Sequence, residues 1–291
     1  MARKIIHVDL DAFFCAVEEL SDPSLGGRVF AVGGKAEERG VISSCSYAAR
    51  QLGVRSAMPT ARAQAICPTL IVISPDHRKY SEASRQVMAH FHRWSGLVGQ
   101  ISSDEAFLDV TDLPAPIAEI ASRLQAEILG EEHLPCSIGC ASNKLVAKIA
   151  TDVGKSHHRG NSSPCAICVV PPGKEAEFLA PLDVRAMWGV GPKTGVRFAE
   201  LGILTIGDLA ARGEAELTRL MGKMGKELYD RSRGIDERPV MAIASEARSI
   251  SQEVTFPKDQ VDAQILREVL ENLAEKVGSQ IRRQGLAGGC V

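Results

Sequence analysis

Two aspartates, Asp9 and Asp11, lie where the hydrophobic period of the sequence changes. The residues before them alternate as a short strand does, whereas those after them follow a helical spacing, which predicts a helix from about Ala12. A carboxylate held at the end of a strand, beside the aromatic pair Phe13 and Phe14, is well placed to bind a hard cation. A complete metal cage needs a second carboxylate group elsewhere in the chain.

A second acidic pair, Asp104 and Glu105, lies within residues 101–110, where two short apolar runs flank a polar centre. This pattern predicts a β-hairpin with the acids at or near its turn. Adjacent carboxylates repel each other unless a cation or solvent relieves them. A solvated hairpin tip explains this pair alone, but both acidic stretches together favour two-metal phosphoryl transfer, with Mg²⁺ ions about 3.5–4 Å apart.

Basic side chains occur in two further places, and the first of them could bind a triphosphate. Tyr47 and Arg50 share one face of a predicted helical turn, and a guanidinium can bind phosphate oxygens bidentately. Lys144 and Lys148 share a face of a later helix, and Lys155 follows beyond its predicted end. Taken alone, each group is more typical of an ordinary solvated surface.

The composition bounds the class of protein. With 291 residues, 45% of them apolar, the chain is long enough for two or more domains with ordinary cores. No apolar run approaches the ~20 residues of a membrane span, and no signal peptide precedes the first strand, so we expect a soluble, cytoplasmic protein without a membrane partner. The net charge of −2 excludes a generally basic surface, so any nucleic-acid contact must be local.

The eight cysteines do not resemble a disulfide framework in a chain of this size. Cys165 and Cys168, with His157 and His158 upstream, have a spacing that could ligate zinc. Residues 165–170 also read as a buried strand, in which cysteine acts as a small hydrophobic residue, and we favour that interpretation.

Four stretches now carry a resemblance: HVDLDAFF, SYAARQLGVRSAMP, SSDEAFLD and NKLVAKIATDVGK. In this order and spacing they resemble the Y-family (translesion) DNA polymerases of the DinB or polymerase IV type. The resemblance implies an α+β multidomain fold. Its expected domains are a palm with a mixed α/β sheet (1–10 and 76–170), small fingers (11–75), a helical thumb with a helix-hairpin-helix (171–240) and a partial α/β little finger (241–291).

The resemblance also implies residue roles. Phe14 occupies the family's steric-gate position, where an aromatic ring leaves no room for a 2′-OH. Two Mg²⁺ ions would be held by the carboxylates of Asp9, Asp104 and Glu105, which form the catalytic set, with the carbonyl of Leu10. The incoming dNTP would be bound by Phe13, Phe14, Tyr47, Arg50 and Lys155.

The later sequence fits a thumb. A glycine turn, Gly189-Val190-Gly191, precedes a helix restarted by Pro192, and such a turn lets backbone N–H groups approach a DNA phosphate. An ordinary pair of helices joined by glycines would look the same. Residues 185–240 hold ten Lys/Arg against eight Asp/Glu, so the segment is mildly basic. The expected DNA contacts are Gly189, Gly191 and Lys193.

The last stretch resembles the start of a little finger, with its first strand at 246–254 and its first helix at 263–283. The family's domain needs roughly two more strands and another helix, so we expect a truncated little finger. A peptide that binds the sliding clamp would lie in the missing part. Gly99 and Ser103 depart from the residues that are commoner in the family.

The sequence therefore predicts a template-directed DNA polymerase of low fidelity that tolerates DNA damage and acts as a monomer on primer-template DNA and dNTPs. Small side chains at Ser44, Ala48, Ala57 and Met58 would leave an open roof over the templating base. One alternative is a catalytically inactive polymerase-like accessory or scaffold protein of a mutasome, but such proteins lack the metal carboxylates. Another is a DNA-binding module without chemistry, which leaves the first 170 residues unexplained.

Overall fold

The computed structural model describes residues 2–241 and 249–290. The chain divides into two compact units, one of residues 1–27 with 76–243 and the other of residues 28–75 with 244–291. The first unit contains the stretches expected to form the palm and thumb, together with residues 11–27. The division into four domains stays a prediction.

The elements alternate between strands and helices through the first 170 residues and are helical afterwards. The strands are β1 (Ile5–Leu10), β2 (Phe30–Gly33), β3 (Ile42–Cys45), β4 (Ile71–Ile73), β5 (Val98–Gln100), β6 (Glu105–Asp109), β7 (Cys136–Ala141) and β8 (Ile167–Val169). The α-helices are α1 (Phe13–Ser21), α2 (Tyr47–Gln51), α3 (Thr60–Ile66), α4 (His77–Trp94), α5 (Ile117–Glu131), α6 (Lys144–Ser156), α7 (Glu175–Leu179), α8 (Pro192–Glu200), α9 (Ile206–Ala211), α10 (Glu214–Met221), α11 (Lys223–Ser232) and α12 (Ala263–Arg283).

The first unit is built on a five-stranded sheet in the order β5-β6-β1-β7-β8. The central strand β1 is antiparallel to both of its neighbours, whereas β7 and β8 are parallel. Because strands flank β1 on both sides, Ile5, Ile6 and Val8 are fully buried. This mixed sheet and the helices that follow it confirm the predicted α+β fold class.

Helix α6 packs directly on the backbone of β7. A Cβ atom at Gly139 would lie 2.0 Å from the carbonyl oxygen of Ala147 and 2.5 Å from the amide nitrogen of Thr151. Only glycine permits this approach, because any side chain would overlap the helix backbone. The side chain of Asn143 caps the helix by accepting a hydrogen bond from the Val146 amide.

The second unit has its own small sheet, in the order β3-β2-β4. Strand β2 pairs antiparallel with β3 and parallel with β4. Its core is formed by buried aliphatic and cysteine side chains, among them Ala31, Ile42, Cys45, Val54 and Ala63. Helix α12, in the same unit, buries none of its residues.

The region after residue 170 follows its capping signals. Pro192 occupies the first turn of α8, and Thr205 forms a capping box with Asp208 at the start of α9. The buried side chains of Phe198, Leu209 and other residues of this region join those of α6 in one hydrophobic core.

Several predicted boundaries are confirmed. Helix α1 begins at Phe13 with Ala12 as its N-cap, and α12 spans the predicted residues 263–283. Over the described ranges no helix combines the length and the apolar character that a membrane crossing requires.

Other predictions were wrong in detail. The first strand of the acidic hairpin is Val98–Gln100 rather than a run from Ile101, because Ile101 to Asp104 form the turn. Helix α6 continues to Ser156, so Lys155 lies on the helix and not beyond it. Strand β8 is partly exposed rather than buried, because it is an outer strand of the sheet.

The expected little-finger strand at 246–254 was also wrong where it can be compared. Residues 246–248 lie outside the described residues, and residues 249–254 carry no strand assignment. A strand needs a hydrogen-bonded neighbour, and within the described chain no segment pairs with 249–254.

Candidate active site

Three carboxylates meet at the end of β1 because of the strand register. Asp9 lies directly opposite Glu105 of β6, and Asp104 immediately precedes that strand. The amide of Leu10 donates to the carbonyl oxygen of Asp104 over 2.9 Å, which ties the two strands together. The structure therefore brings these four predicted residues together at one end of the sheet.

Two lysines of α6 reach these acids. Lys155 Nζ lies 2.5 Å from Asp9 Oδ1 and 3.0 Å from Asp11 Oδ1. Lys148 Nζ lies 2.5 Å from Glu105 Oε2. The two lysines are about two helical turns apart, so they project from the same face of the helix. The close packing of α6 on β7 brings this face within reach of the carboxylates.

Glu105 is also held by the buried His7 on β1. His7 Nε2 lies 3.1 Å from Glu105 Oε2, and His7 Nδ1 lies 2.9 Å from the Thr151 hydroxyl. Burial lowers the pKa of His7, so the neutral ring can donate from Nε2 and accept at Nδ1. The hydrogen bond from His7, together with Lys148, lowers the pKa of Glu105 to about 2. Glu105 is therefore ionised at neutral pH.

Asp104 has a different environment. Its Oδ1 accepts a hydrogen bond from the Ser102 hydroxyl over 2.7 Å, and no lysine, arginine or histidine of the described residues pairs with it. Burial raises the pKa of Asp104, and the charges of Asp9 and Glu105 raise it further. A cation placed among these groups would relieve the repulsion.

The donor set suits a divalent metal ion. Carboxylate oxygens are the ligands that hard cations prefer. The end of β1 carries four acids against two lysines, counting Asp11, and Asp152 of α6 interacts with the same lysines, so negative charges outnumber positive ones. Both hydrogen bonds to Glu105 within the described chain reach Oε2, so Oε1 remains available to a cation.

The aromatic pair after β1 is asymmetric. Phe13 is 2% exposed and belongs to the core, whereas Phe14 is half-buried. The Phe14 ring stacks on Tyr80 with ring centres 4.1 Å apart, and the Tyr80 hydroxyl donates to Glu18 over 2.6 Å. Phe14 therefore rests on a fixed aromatic neighbour, and Phe13 packs beneath the surface.

Tyr47 and Arg50 lie in the second unit, on α2. The guanidinium carbon of Arg50 is 4.8 Å from the centre of the Tyr47 ring, so the predicted shared face is confirmed. Arg50 Nε donates to the carbonyl oxygen of Cys45 over 3.1 Å. The role of this pair in nucleotide binding stays a prediction.

The glycine turn of the expected thumb has the predicted backbone character. Gly189 has a φ of 100°, which L side chains rarely adopt, and Gly191 is the N-cap of α8. Lys193 is exposed in the first turn of that helix. A 3₁₀ turn at Val184–Ala186, rather than an α-helix, precedes the glycines. This corrects the expected helix, because Asp183 caps only a single turn there.

The cysteine pair gives no metal cluster. Within the described residues, the one group of His, Cys, Asp or Glu side chains close enough to share a cation is His90, Glu127 and Glu131, between α4 and α5. Arg93 already supplies positive charge there, because it donates to both glutamates over 2.6 and 3.3 Å. The zinc interpretation of Cys165 and Cys168 therefore has no support.

Sequence reasoning missed several residues of the site. It noted Asp11 and Lys148 without a role, and it missed His7, Ser137 and Tyr80. The alternation of β1 was a usable signal for His7, since a histidine on a buried central strand must find polar partners. Ser137 and Tyr80 carry no such signal, because their positions depend on tertiary pairing.

Family models match most of the chain. Residues 8–152 match the model described as the impB/mucB/samB family, and residues 247–291 match its C-terminal domain. Residues 185–236 match the model described as the thumb domain of DNA polymerase iota.

Individual proteins are similar over almost the whole chain. DNA polymerase IV of Dehalococcoides mccartyi is 41% identical over 97% of this chain and 71% of its own length. DNA polymerase IV of Xanthomonas campestris pv. campestris is 42% identical, over 99% and 78%. Among solved structures, DinB from Sulfolobus solfataricus is 30% identical with a TM-score of 0.74, covering 81% of this chain and 69% of that one. A Y-family DNA polymerase chimera gives 28% and 0.82, over 95% and 80%.

Proposed function

Since this chain belongs to the Y-family of translesion DNA polymerases and extends a primer by template-directed addition of dNTPs, we propose that Asp9, Asp104 and Glu105 form its catalytic centre. Polymerases of this family depend on divalent metal ions, and we assign that metal to these carboxylates. Primer-template DNA and dNTPs are its partners.

One observation carries the assignment of the site. The carboxylates converge at one end of the sheet with an excess of negative charge, and Asp104 has no cationic partner among the described residues. Such an arrangement is unfavourable by itself, and bound cations would offset the repulsion. A purely structural cluster would not need an unpaired, partly buried carboxylate.

The metal of the proposal is a pair of Mg²⁺ ions, held by the three carboxylates and the Leu10 carbonyl. Bound there, they would supply Lewis-acid chemistry, which makes the primer 3′-OH a better nucleophile and neutralises the leaving pyrophosphate.

The protein side chains orient the reactants. His7 and Lys148 fix one oxygen of Glu105 and leave the other for metal. Lys155 binds the triphosphate as a hydrogen-bond donor and a fixed charge. Phe14 lies under the sugar with Tyr80 behind it, so the ring cannot yield to a 2′-OH.

The alternative of an inactive accessory protein has no comparable support. All three carboxylates are present, and the pairing of β1 with β6 brings them together at one end of the sheet. We therefore do not retain that alternative.

Single-nucleotide primer extension with a Mg²⁺ titration tests the assignment. We expect extension that requires the metal, and Lys155→Ala should raise KM for dNTP, because a phosphate contact is lost. As a matched control, Lys144→Ala on the same helix should leave KM within about twofold, because Lys144 lies over the Phe107 ring, away from these acids. Extension that persists undiminished in excess chelator would contradict the metal assignment.

A further inference from the structure

Asp11 is a buried acid for which the proposed catalytic centre has no use. Its side chain is 0% exposed at the beginning of the turn after β1. Most buried carboxylates are paired, because an isolated buried charge costs several kcal/mol. The partners of Asp11 therefore indicate what it does.

Both oxygens of Asp11 are already bound by protein donors. The Ser137 hydroxyl lies 2.9 Å from Oδ1 and 3.0 Å from Oδ2, and the Cys165 amide donates to Oδ2 over 3.0 Å. Cys165 has a positive φ of 44°. Lys155 Nζ completes the set, 3.0 Å from Oδ1. With these contacts Asp11 is a poor candidate for a metal ligand.

We propose that Asp11 is a positioning residue that holds the Lys155 ammonium at the place where the dNTP triphosphate binds. This inference rests on the proposed role of Lys155 in nucleotide binding. It gives a role to an acid that the sequence singled out without one and that lies outside the proposed catalytic centre.

A cation bound by Asp9 would change the contacts of Lys155. Lys155 is shared between Asp9, at 2.5 Å, and Asp11, at 3.0 Å. A cation bound by Asp9 would neutralise that carboxylate and would repel the Lys155 ammonium. Asp11 stays in place, because Ser137 and the Cys165 amide hold its two oxygens. Asp11 still anchors Lys155, and an ammonium with three N–H donors can bind a phosphate oxygen at the same time.

The anchor is itself rigid. The Ser137 hydroxyl accepts a hydrogen bond from the Ala166 amide over 3.1 Å, so Ser137 joins β7 to the segment that enters β8. Asp11 is thus held by two neighbouring segments of the sheet. A long lysine side chain loses much rotamer freedom when it binds a ligand, and a prior anchor reduces that cost.

A double-mutant cycle tests the inference. The variants are Asp11→Asn, Lys155→Ala and both together, and the measurement is the dissociation constant of a non-reactive dNTP analogue on the enzyme–primer-template complex, alongside KM and kcat. Asp11→Asn should weaken dNTP binding about tenfold with a much smaller change in kcat, because a charge-assisted contact to Lys155 is lost. In the Lys155→Ala background the same substitution should change affinity less than about twofold.

Two further variants separate positioning from stability. Ser137→Ala frees one side of Asp11 and should weaken dNTP binding about twofold to threefold, again only while Lys155 is present. Ile138→Val, next to it in β7 and fully buried, should lower the melting temperature without changing dNTP affinity. If Asp11→Asn does not fold, the Ser137→Ala cycle decides by the same criterion.

The outcomes distinguish this inference from the proposed function. If Lys155→Ala leaves dNTP affinity unchanged, the role of Lys155 fails and the inference fails with it. If Lys155→Ala weakens binding but Asp11→Asn has no effect, or has the same effect with and without Lys155, only the positioning role of Asp11 is overturned.

Discussion

The first unit contains two clusters of acids and bases that look alike in composition and differ in charge matching. At the end of β1, Lys148 and Lys155 pair with three of the four acids, and Asp104 has no cationic partner among the described residues. Between α4 and α5, each glutamate contacts a basic side chain: Glu127 and Glu131 contact Arg93, and Glu132 lies 2.7 Å from His90 Nε2.

This difference distinguishes a site suited to bind a cation from a cluster of paired charges that joins two helices. In the α4–α5 cluster, hydrogen bonds from His90, Trp94 and Arg93 lower the pKa of Glu127 although burial opposes them. At the end of β1 the pKa of Asp104 is raised, because burial is not offset by a cation. The presence of acids and a histidine is therefore less informative than whether each carboxylate has a cationic partner.

The largest expected effect comes from removing Asp104, which has no cationic partner among the described residues. Asp104→Ala should reduce primer extension at least about 10³-fold, because the metal loses a ligand in the transition state. Primer-template binding should remain largely intact. The matched control is Glu127→Gln in the α4–α5 cluster, which should lower the melting temperature while leaving the extension rate within about twofold. Activity of Asp104→Ala within tenfold of wild type would sink the two-metal assignment.

The second prediction extends the comparison from charge to volume. Phe14→Ala should change the dNTP/rNTP preference by about 10- to 200-fold, because the vacated space admits a 2′-OH. The measurement is single-nucleotide insertion of matched deoxy- and ribonucleotides. Val17→Ala, a core substitution on the same helix, should lower stability without altering this preference. An unchanged preference for Phe14→Ala would refute the steric interpretation.

The third prediction concerns Glu105, the acid of the site that pairs with Lys148. The pKa of Glu105 is lowered to about 2 in the folded state from an ordinary value of 4.5, so its stabilising contribution is present above pH 4.5 and is lost as the pH falls towards 2. Between about pH 5.5 and pH 3 the free energy of unfolding should fall by at most about 2 kcal/mol through this group.

Denaturant unfolding as a function of pH checks this prediction. In Glu105→Gln that part of the acid dependence should disappear, because glutamine does not titrate. A variant that keeps the full wild-type dependence would show that other groups carry it. Glu132→Gln, which removes an acid of the α4–α5 cluster, serves as the comparison.

The smallest expected effect concerns Lys193, an exposed lysine of the expected thumb. Lys193 is exposed near the glycine turn and forms no ion pair with any described residue. Lys193→Ala should weaken binding equally on unrelated primer-templates and reduce the slope of log K against log salt by about 0.9. The test is a salt titration of affinity on two sequences. Lys174→Ala, whose partner is Glu177, should leave the slope unchanged; a loss confined to one template would contradict backbone binding.

The sequence predicted elements whose signals are local. The change of period at Ala12 predicted the start of α1, and Pro192 predicted the start of α8, because such signals depend on a few adjacent residues. The end of α6 was missed because Gly154 does not stop the helix. It lies inside the helix, where an added Cβ atom would come within 3.1 Å of the Ala166 side chain. Strand β8 was wrongly expected to be buried, because the sequence does not show that this strand lies at the edge of the sheet.

The site was predictable in its acids and less so in their partners. Motifs kept Asp9, Asp104 and Glu105 in view, but the sequence could not place Asp9 opposite Glu105, which depends on strand register. The partners His7 and Ser137 meet their acids only through antiparallel pairing of β1 with its neighbours. Their roles follow from tertiary geometry that no local pattern records.

The missing side chain at Gly139 has a consequence for how the site can vary. It sets the height at which α6 rests on the sheet, and the two site lysines rise from that helix two turns apart. An added methyl group would overlap the helix backbone and lift both ammonium groups together, whereas a substitution at either lysine alters one contact at a time. A residue that touches no reactant thus acts as the spacer of the whole site, and its neighbours on α6 can diverge only within the clearance that it sets.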